Sequence, residues 1–238
     1  MAVLGEFGET RVEPARLFDA SDTDGPGPPA DALDVQFRAP LTFSLLVDAL
    51  LRSDRELDAR TCFQLYERVI DYTVARVQFA CGYVLDEHER SVPARLELAA
   101  LGESDVPGIE TVRMHHHLYI GRTALALRDG CRHPVSPDDV RLGLRTVAWT
   151  SYLRELERLS ELLCGARWGR PPGGFAREIV EPPLHEHMAG HELGVCPSPW
   201  GPRETWEQPT RAVLAHEAEL AARIERDPYT APGRVLNY

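Results

Sequence analysis

Three consecutive histidines, His115, His116 and His117, stand inside an otherwise apolar run. The run has no helical repeat, so it is predicted to be a β-strand, in which successive side chains point to opposite faces. His115 and His117 would then share one face, and two neutral imidazoles there can bind one metal ion. We predict a metal site in preference to a histidine patch without a ligand, since aligned buried imidazoles need a common partner.

The residues around the histidines add candidates for chemistry. Tyr119 falls on the face of His115 and His117 and is a candidate catalytic residue, with packing or hydrogen bonding as the alternative. Arg113 and Arg122 flank the histidines and could bind a phosphate or carboxylate of a substrate, the alternative being salt bridges to acidic residues. The opposite, mostly apolar face would comprise Met114, His116, Leu118 and Ile120.

Composition narrows the class of protein. The 238 residues suffice for one large domain or two small ones with an ample core. The net charge is −11 and the chain has no lysine. This argues against sequence-independent binding of nucleic acid over a broad basic surface, but not against binding by a local group of arginines. Five scattered cysteines without a C-x-x-C pair favour a reducing compartment over a disulfide framework.

Targeting segments are not expected. The first residues lack the basic and apolar regions of a signal peptide, and no apolar run approaches the roughly 20 residues that span a bilayer. We therefore expect a cytoplasmic protein that does not enter a membrane.

The pattern of elements predicts the fold class. Residues 1–30 form a polar N-terminal segment, and residues 31–238 are predicted to be a single metal-binding domain with a loop-rich C-terminal part. Strict alternation of apolar and polar residues predicts a half-buried strand over residues 33–38. Helices are predicted over residues 43–52, 58–80, 137–164 and 210–226, and a loop over residues 101–108. Strands mixed with helices indicate an α/β or α+β sheet with helices packed on it.

A second histidine group lies in a proline-bounded segment and consists of His185, His187 and His191. The H-E-x-x-H order is absent, so a partly exposed loop or helix cap is favoured over a second metal site. A lid over the active site is the less favoured alternative.

Several motifs together resemble the TrwC-type conjugative relaxases of the HUH class. Residues 115–123, HHHLYIGRT, are similar to the H-x-H metal strand of that family. Residues 33–46, LDVQFRAPLTFSLL, resemble its F-D-L-T-F-S-A-P-K-S-V-S-L-L segment. The elements that follow also keep a similar order, so the resemblance covers roughly residues 30–180.

The resemblance implies a fold and a set of site residues. The fold would be the antiparallel sheet of the relaxases with helices packed on it. His115 and His117 would be two ligands of a divalent metal, and His88 the third, because the family's third histidine lies between the long helix and this strand. Asp34 would be the acidic candidate catalytic residue that assists the nucleophile or a ligand by hydrogen bonding.

The sequence also departs from the family. The nucleophilic tyrosine of relaxases lies near the N-terminus, whereas the first tyrosine here is Tyr66, and the family's lysine in A-P-K-S is Leu41. We therefore expect a metalloenzyme with a three-histidine centre that holds Cu, Fe, Zn, Ni or Mn and acts on a small-molecule substrate. The alternatives are single-stranded DNA nicking and joining, or a non-catalytic accessory protein.

Overall fold

The structure is a computed structural model that describes residues 3–4, 10–20, 25–171, 176–188 and 194–207. Its strands are β1 (Val3–Leu4), β2 (Thr10–Arg11), β3 (Ala15–Arg16), β4 (Leu33–Arg38), β5 (Tyr83–Leu85), β6 (Ser91–Arg95), β7 (Glu97–Glu103), β8 (His115–Ile120), β9 (Thr123–Ala126), β10 (Arg132–Pro134), β11 (Arg167–Gly169), β12 (Glu178–Glu181) and β13 (Thr205–Glu207). Its α-helices are α1 (Leu41–Arg52), α2 (Glu56–Cys81), α3 (Pro137–Gly143) and α4 (Trp149–Cys164). A π-helical turn (Leu144–Ala148) joins α3 to α4, and a 3₁₀ turn covers Leu184–His187.

The main sheet has five strands in the order β13-β4-β8-β7-β3. Its three inner strands are antiparallel neighbours, while the edge strands β13 and β3 run parallel to β4 and β7. A second, antiparallel sheet has the order β10-β9-β6-β5. The mixed α and β architecture agrees with the predicted fold class, and β8 lies at the centre of the main sheet.

The alternating strand is confirmed as β4, and one of its faces forms the core. Leu33, Val35 and Phe37 are buried against the helices, as the pattern predicts. The strand is more buried than predicted, since Asp34 and Gln36 on the polar face are also inaccessible to solvent. The reason is a segment of the C-terminal part that covers this polar face, described below.

The predicted helix over residues 137–164 is confirmed as one continuous helix. The Ser136 hydroxyl accepts a hydrogen bond from the backbone N–H of Asp139 at 3.3 Å, and Pro137 occupies the first helical position. Gly165 ends the helix in a left-handed conformation with φ of 66°. The π-helical turn inside it is a local irregularity that the periodicity did not indicate.

The predicted loop over residues 101–108 is wrong at its start. Strand β7 continues to Glu103, because Leu101, Gly102 and Glu103 pair with the three histidines of β8. Pairing with the central strand therefore outweighs the low strand propensity of glycine and glutamate.

Two further expectations concern a C-terminal helix and membrane-spanning segments. The predicted helix over residues 210–226 lies outside the described residues. No helix within the described residues is both long enough and apolar enough to cross a membrane.

Candidate metal centre

The histidine run is a buried central strand, as predicted. His115 and His117 lie on one face of β8, and all six of its residues are buried. On β7, Glu103 is the direct antiparallel partner of His115. Directly paired residues of an antiparallel sheet point to the same face, so a carboxylate joins the two imidazoles.

The three side chains converge on a common point. The Nε2 atoms of His115 and His117 each lie 3.5 Å from Oε2 of Glu103. Neither Nε2 atom has a hydrogen-bond partner among the described residues, although the two side chains are 2% and 0% exposed. Burying a ring nitrogen without a partner is unfavourable. A metal ion would satisfy both atoms, and one ligand atom from each of the three residues lies within 4.8 Å of the others.

The opposite ring nitrogens fix the tautomers. Nδ1 of His117 lies 2.9 Å from both carboxylate oxygens of the buried Asp34, and Nδ1 of His115 lies 2.8 Å from the carbonyl oxygen of Arg113. An Nδ1–H that donates to an oxygen leaves the Nε2 lone pair of a neutral ring free. Histidines that bind metals are held in this way, so the surroundings of both rings fit a metal ligand.

The charges of the site also fit a divalent cation. The nearby ring of His115, then that of His117, lowers the pKa of Glu103 to about 2. Burial lowers the pKa of His115, but contacts with Cys196 and Glu103 outweigh it and raise the pKa to about 10. Burial likewise lowers the pKa of His117, but the contacts with Asp34 and Glu103 together outweigh burial and raise it. The two carboxylates thus favour positive charge between the rings, which protons or a metal ion can supply.

His116 points to the opposite face and packs on the helices. Its ring centroid lies 5.0 Å from that of Tyr66, and its Nε2 lies 3.2 Å from Oε1 of Glu67. The strand β7 passes close to this ring, and a Cβ at Gly102 would come within 2.6 Å of His116 Nε2. Glycine at this position is therefore required for the close approach of the ring to the strand.

The structure does not bring His88 to the other histidines. His88 lies in the tight turn between β5 and β6, its side chain is 62% exposed, and its Nε2 is 3.5 Å from Glu87. Glu103, which sequence reasoning missed, occupies the place beside His115 and His117. Its sequence signal was the apolar run of residues 98–101, which continues the strand up to this carboxylate.

Tyr119 lies on the same face, next to His117. Their rings are stacked at an interplanar angle of 13° with centroids 6.1 Å apart. The Tyr119 hydroxyl lies 3.0 Å from Oγ of Ser198, and burial raises the pKa of its phenol. The tyrosine is therefore close to the centre, but a buried neutral phenol is a weak nucleophile.

The two flanking arginines have different surroundings. Arg113 is buried and donates to the Thr111 hydroxyl and the Val112 carbonyl oxygen, and it lines a small cavity with His115. Arg122 follows the far end of β8 and pairs with Glu204. Of these two arginines, only Arg113 lies beside the candidate metal centre.

Residues 194–200, the covering segment, lie across the polar face of β4 and β8. The carbonyl oxygen of Gly194 accepts from Arg38 at 3.2 Å, and that of Cys196 accepts from Gln36 at 2.6 Å. The Trp200 ring packs edge-on against Tyr119, with centroids 5.5 Å apart. This cover explains why side chains on the polar face are inaccessible to solvent. It leaves Glu103, with its side chain 34% exposed, as the candidate ligand nearest to solvent.

The second histidine group is only partly described. His187 is exposed in the 3₁₀ turn. The side chain of His185 and the whole of His191 lie outside the described residues. The predicted loop or lid around them stays a prediction.

Comparison with known proteins gives a likeness in fold. No family model and no curated protein matches the sequence. The structure is similar to the conjugative relaxase TrwC in complex with mutant OriT DNA, with 15% identity and a TM-score of 0.48 over 85% of this chain and 60% of that chain. This chain thus spans less than two thirds of that relaxase.

Two further TrwC structures are also similar in fold. A metal-free complex with OriT DNA shows 15% identity and a TM-score of 0.48 over 80% of this chain and 71% of that chain. A metal-bound complex shows 14% identity and a TM-score of 0.48 over 80% and 70%. These proteins belong to the family that the sequence motifs resemble, and at 14–15% identity the likeness is one of fold alone.

Proposed function

We propose that this protein is a metal-dependent enzyme whose centre is formed by His115, His117 and Glu103. The observation that carries the proposal is the convergence of two buried Nε2 atoms without hydrogen-bond partners, among the described residues, on one carboxylate oxygen. Two histidines and one carboxylate form the ligand set of catalytic zinc sites and of non-haem iron sites that keep open positions. The three-histidine centre expected from the sequence thus becomes a centre of two histidines and one glutamate.

The surroundings of the ligands support an open, catalytic centre over a structural one. Structural zinc sites are closed by four protein ligands rich in cysteine, whereas three N and O ligands leave room for water or substrate. A bound divalent metal would supply Lewis acidity, or redox chemistry if it is iron or copper. Asp34 would hold His117 in its ligating tautomer, and Glu103 would lie at the solvent side of the centre.

The substrate that we propose is a small molecule. The covering segment leaves the imidazoles of His115 and His117 almost inaccessible, so a nucleic acid strand has no direct path to their Nε2 atoms. A small molecule or water needs only access from the side of Glu103, whose side chain is 34% exposed. The negative net charge of the chain also supports a partner other than nucleic acid.

Single-stranded DNA nicking and joining is the second candidate function. It is favoured by the contact between Asp34 and His117, which is the contact that the relaxase motifs imply. The TrwC structures that are similar in fold hold OriT DNA. In this chain the tyrosine beside the centre is Tyr119, so the covering segment would have to leave its hydroxyl before it could attack a phosphate.

Metal content tests the primary proposal. We expect one metal ion per chain in protein reconstituted with Zn, Mn or Fe(II) and measured by elemental mass spectrometry. His115→Ala, His117→Ala and Glu103→Ala should lose it, while circular dichroism confirms that they fold. His88→Ala is the matched control and should retain the metal. Retention in all three variants of the centre would refute the proposal, and loss in His88→Ala would assign a ligand role to His88.

DNA chemistry is tested separately. The metal-loaded protein is incubated with labelled single-stranded oligonucleotides and analysed on denaturing gels. A covalent adduct that disappears in Tyr119→Phe would establish the second candidate and reject the small-molecule assignment. Absence of binding at low salt would reject the second candidate.

A further inference from the structure

Two cysteines that are far apart in sequence meet behind the histidine strand. The Sγ atoms of Cys62, in the first half of α2, and Cys164, the last residue of α4, lie 3.4 Å apart. Both are free thiols, and Cys62 is fully buried while Cys164 is partly exposed. No role in the proposed metal centre involves either residue, since they lie on the helical side of the sheet.

The separation is close to that needed for a bond. A disulfide has an S–S length near 2.05 Å, so the two sulfur atoms would have to approach by roughly 1.4 Å. Cys164 ends its helix and is followed by Gly165 in a left-handed conformation. Movement of a helix terminus requires less rearrangement than movement of a residue inside the core. The α2–α4 packing therefore holds the pair in a geometry from which oxidation can proceed.

We propose that Cys62 and Cys164 form a redox-sensitive pair that closes to a disulfide when the protein meets a peroxide. The Cys164 thiolate attacks hydrogen peroxide, so that an S–O bond forms, the O–O bond breaks and hydroxide leaves as water after protonation. The Cys62 sulfur then attacks the sulfur of this sulfenic acid, an S–S bond forms, and water leaves with the Cys62 proton. Two thiols and one peroxide thus become one disulfide and two water molecules.

The division of roles follows from exposure and hydrogen bonding. Cys164 is the thiol that the peroxide can reach, because Cys62 is 1% exposed. Hydrogen bonding from Cys62 lowers the pKa of Cys164, which increases its thiolate fraction. Cys62 is then the resolving thiol, already in contact with the sulfur that it must attack.

The disulfide would cross-link helices α2 and α4, which support the histidine strand. Tyr66 lies one turn after Cys62, packs on His116 and lies 2.9 Å, hydroxyl to hydroxyl, from Tyr152 of α4. A cross-link between residues 102 apart restricts the unfolded chain strongly. Oxidation should therefore raise the melting temperature without changing the ligands of the metal centre.

Peptide mapping of the full chain tests this inference. Metal-free protein is treated with hydrogen peroxide and digested with trypsin, which cuts after the arginines that bound residues 61–68 and 159–167. We expect these two peptides to be joined, the intact mass to fall by two hydrogen atoms, and reductant to reverse both changes. The melting temperature should rise on oxidation. Separate peptides, each carrying irreversible oxidation, would overturn the proposal.

Cysteine variants distinguish the oxidation of Cys164 from the formation of the disulfide. Cys62→Ser should stop at a Cys164 sulfenic acid that dimedone traps, and Cys164→Ser should form neither product. Cys131→Ser, which removes the exposed thiol on another surface, is the control and should cross-link like the wild type. Dimedone labelling in Cys164→Ser at Cys62 would contradict the assigned roles. Because the readouts use metal-free protein, the outcome is independent of the proposed metal-dependent function.

Discussion

At the scale of single residues, the partner of each Nδ1 atom determines what the other ring nitrogen can do. Asp34 places both carboxylate oxygens 2.9 Å from His117 Nδ1, and a backbone carbonyl plays the same part for His115. His116, between them, meets aromatic and acidic side chains of α2 instead. Identical residue types in consecutive positions therefore have different chemistry, because alternate side chains of a strand enter different environments.

Replacing Asp34 should weaken metal binding without removing a ligand. In Asp34→Asn the negative charge that orients and polarises His117 is lost, and we expect metal affinity to fall by about 10- to 100-fold. Competition with a chromogenic chelator measures it. The matched control is Asp129→Asn, which alters an exposed carboxylate that lies 3.0 Å from His133. Equal affinities of Asp34→Asn and the wild type would show that this contact is not coupled to metal binding.

Metal affinity should rise with pH. His115 has a pKa of about 10 and the pKa of His117 is raised, so protons compete with a metal ion for both rings of the metal-free protein. A metal ligand must be neutral imidazole, so binding releases these protons and each one contributes about tenfold in affinity per pH unit. Titrations between about pH 6 and about pH 8, corrected for chelator protonation, measure the slope. An affinity independent of pH would contradict this expectation.

At the scale of elements, the register of three strands assembles the centre. Strand β8 supplies the imidazoles, β4 supplies Asp34, and β7 extends to Glu103 because its last residues pair with the histidines. The covering segment then closes the face through hydrogen bonds to Arg38, Gln36 and Tyr119. Access to the centre is therefore a property of this segment as much as of the ligands.

Loosening the covering segment should speed metal loss. Trp200 packs edge-on against both Tyr119 and Phe18, so Trp200→Ala removes the aromatic contacts that hold the segment down. We expect transfer of metal to excess chelator to become severalfold faster, with circular dichroism unchanged. The control is Phe79→Ala, an exposed aromatic residue on α2. If both variants release metal at the wild-type rate, the segment does not limit access.

At the scale of the whole molecule, metal binding and folding should be linked. The ligands come from two strands of the central sheet and exist together only in the folded state. A ligand that binds only the folded state stabilises it by about 2.7 kcal/mol at one hundred times its dissociation constant. For a chain of this size that corresponds to a rise in melting temperature of about 5–10 °C. Scanning calorimetry with and without metal measures the shift.

The variant Glu103→Gln is the control for the link between metal binding and folding. Glu103→Gln keeps the shape of the side chain but lacks the carboxylate charge, so its melting temperature should respond much less to added metal. A response as large as that of the wild type would show that the stabilising ion binds elsewhere.

The sequence alone determined strand β4, the capped helix after Ser136 and the buried histidine strand. Alternation over Leu33–Arg38, the capped helix after Ser136 and the histidine run are local patterns, and local patterns reflect which face of an element meets the core. They indicated His115 and His117 as the pair of imidazoles and the mixed sheet with helices as the fold. The contact of Asp34 with this strand came from the relaxase resemblance.

Only the tertiary structure decided what completes and encloses the centre. Glu103 reaches the histidines through strand pairing across a connection of eleven residues, and the covering segment reaches them from almost eighty residues further along the chain. His88 lies where the relaxase resemblance places the third ligand along the sequence. Its turn, however, connects two strands of the second sheet, and its side chain faces solvent. Pairing register and long-range packing depend on the whole chain at once, so no local pattern of residues could have specified them.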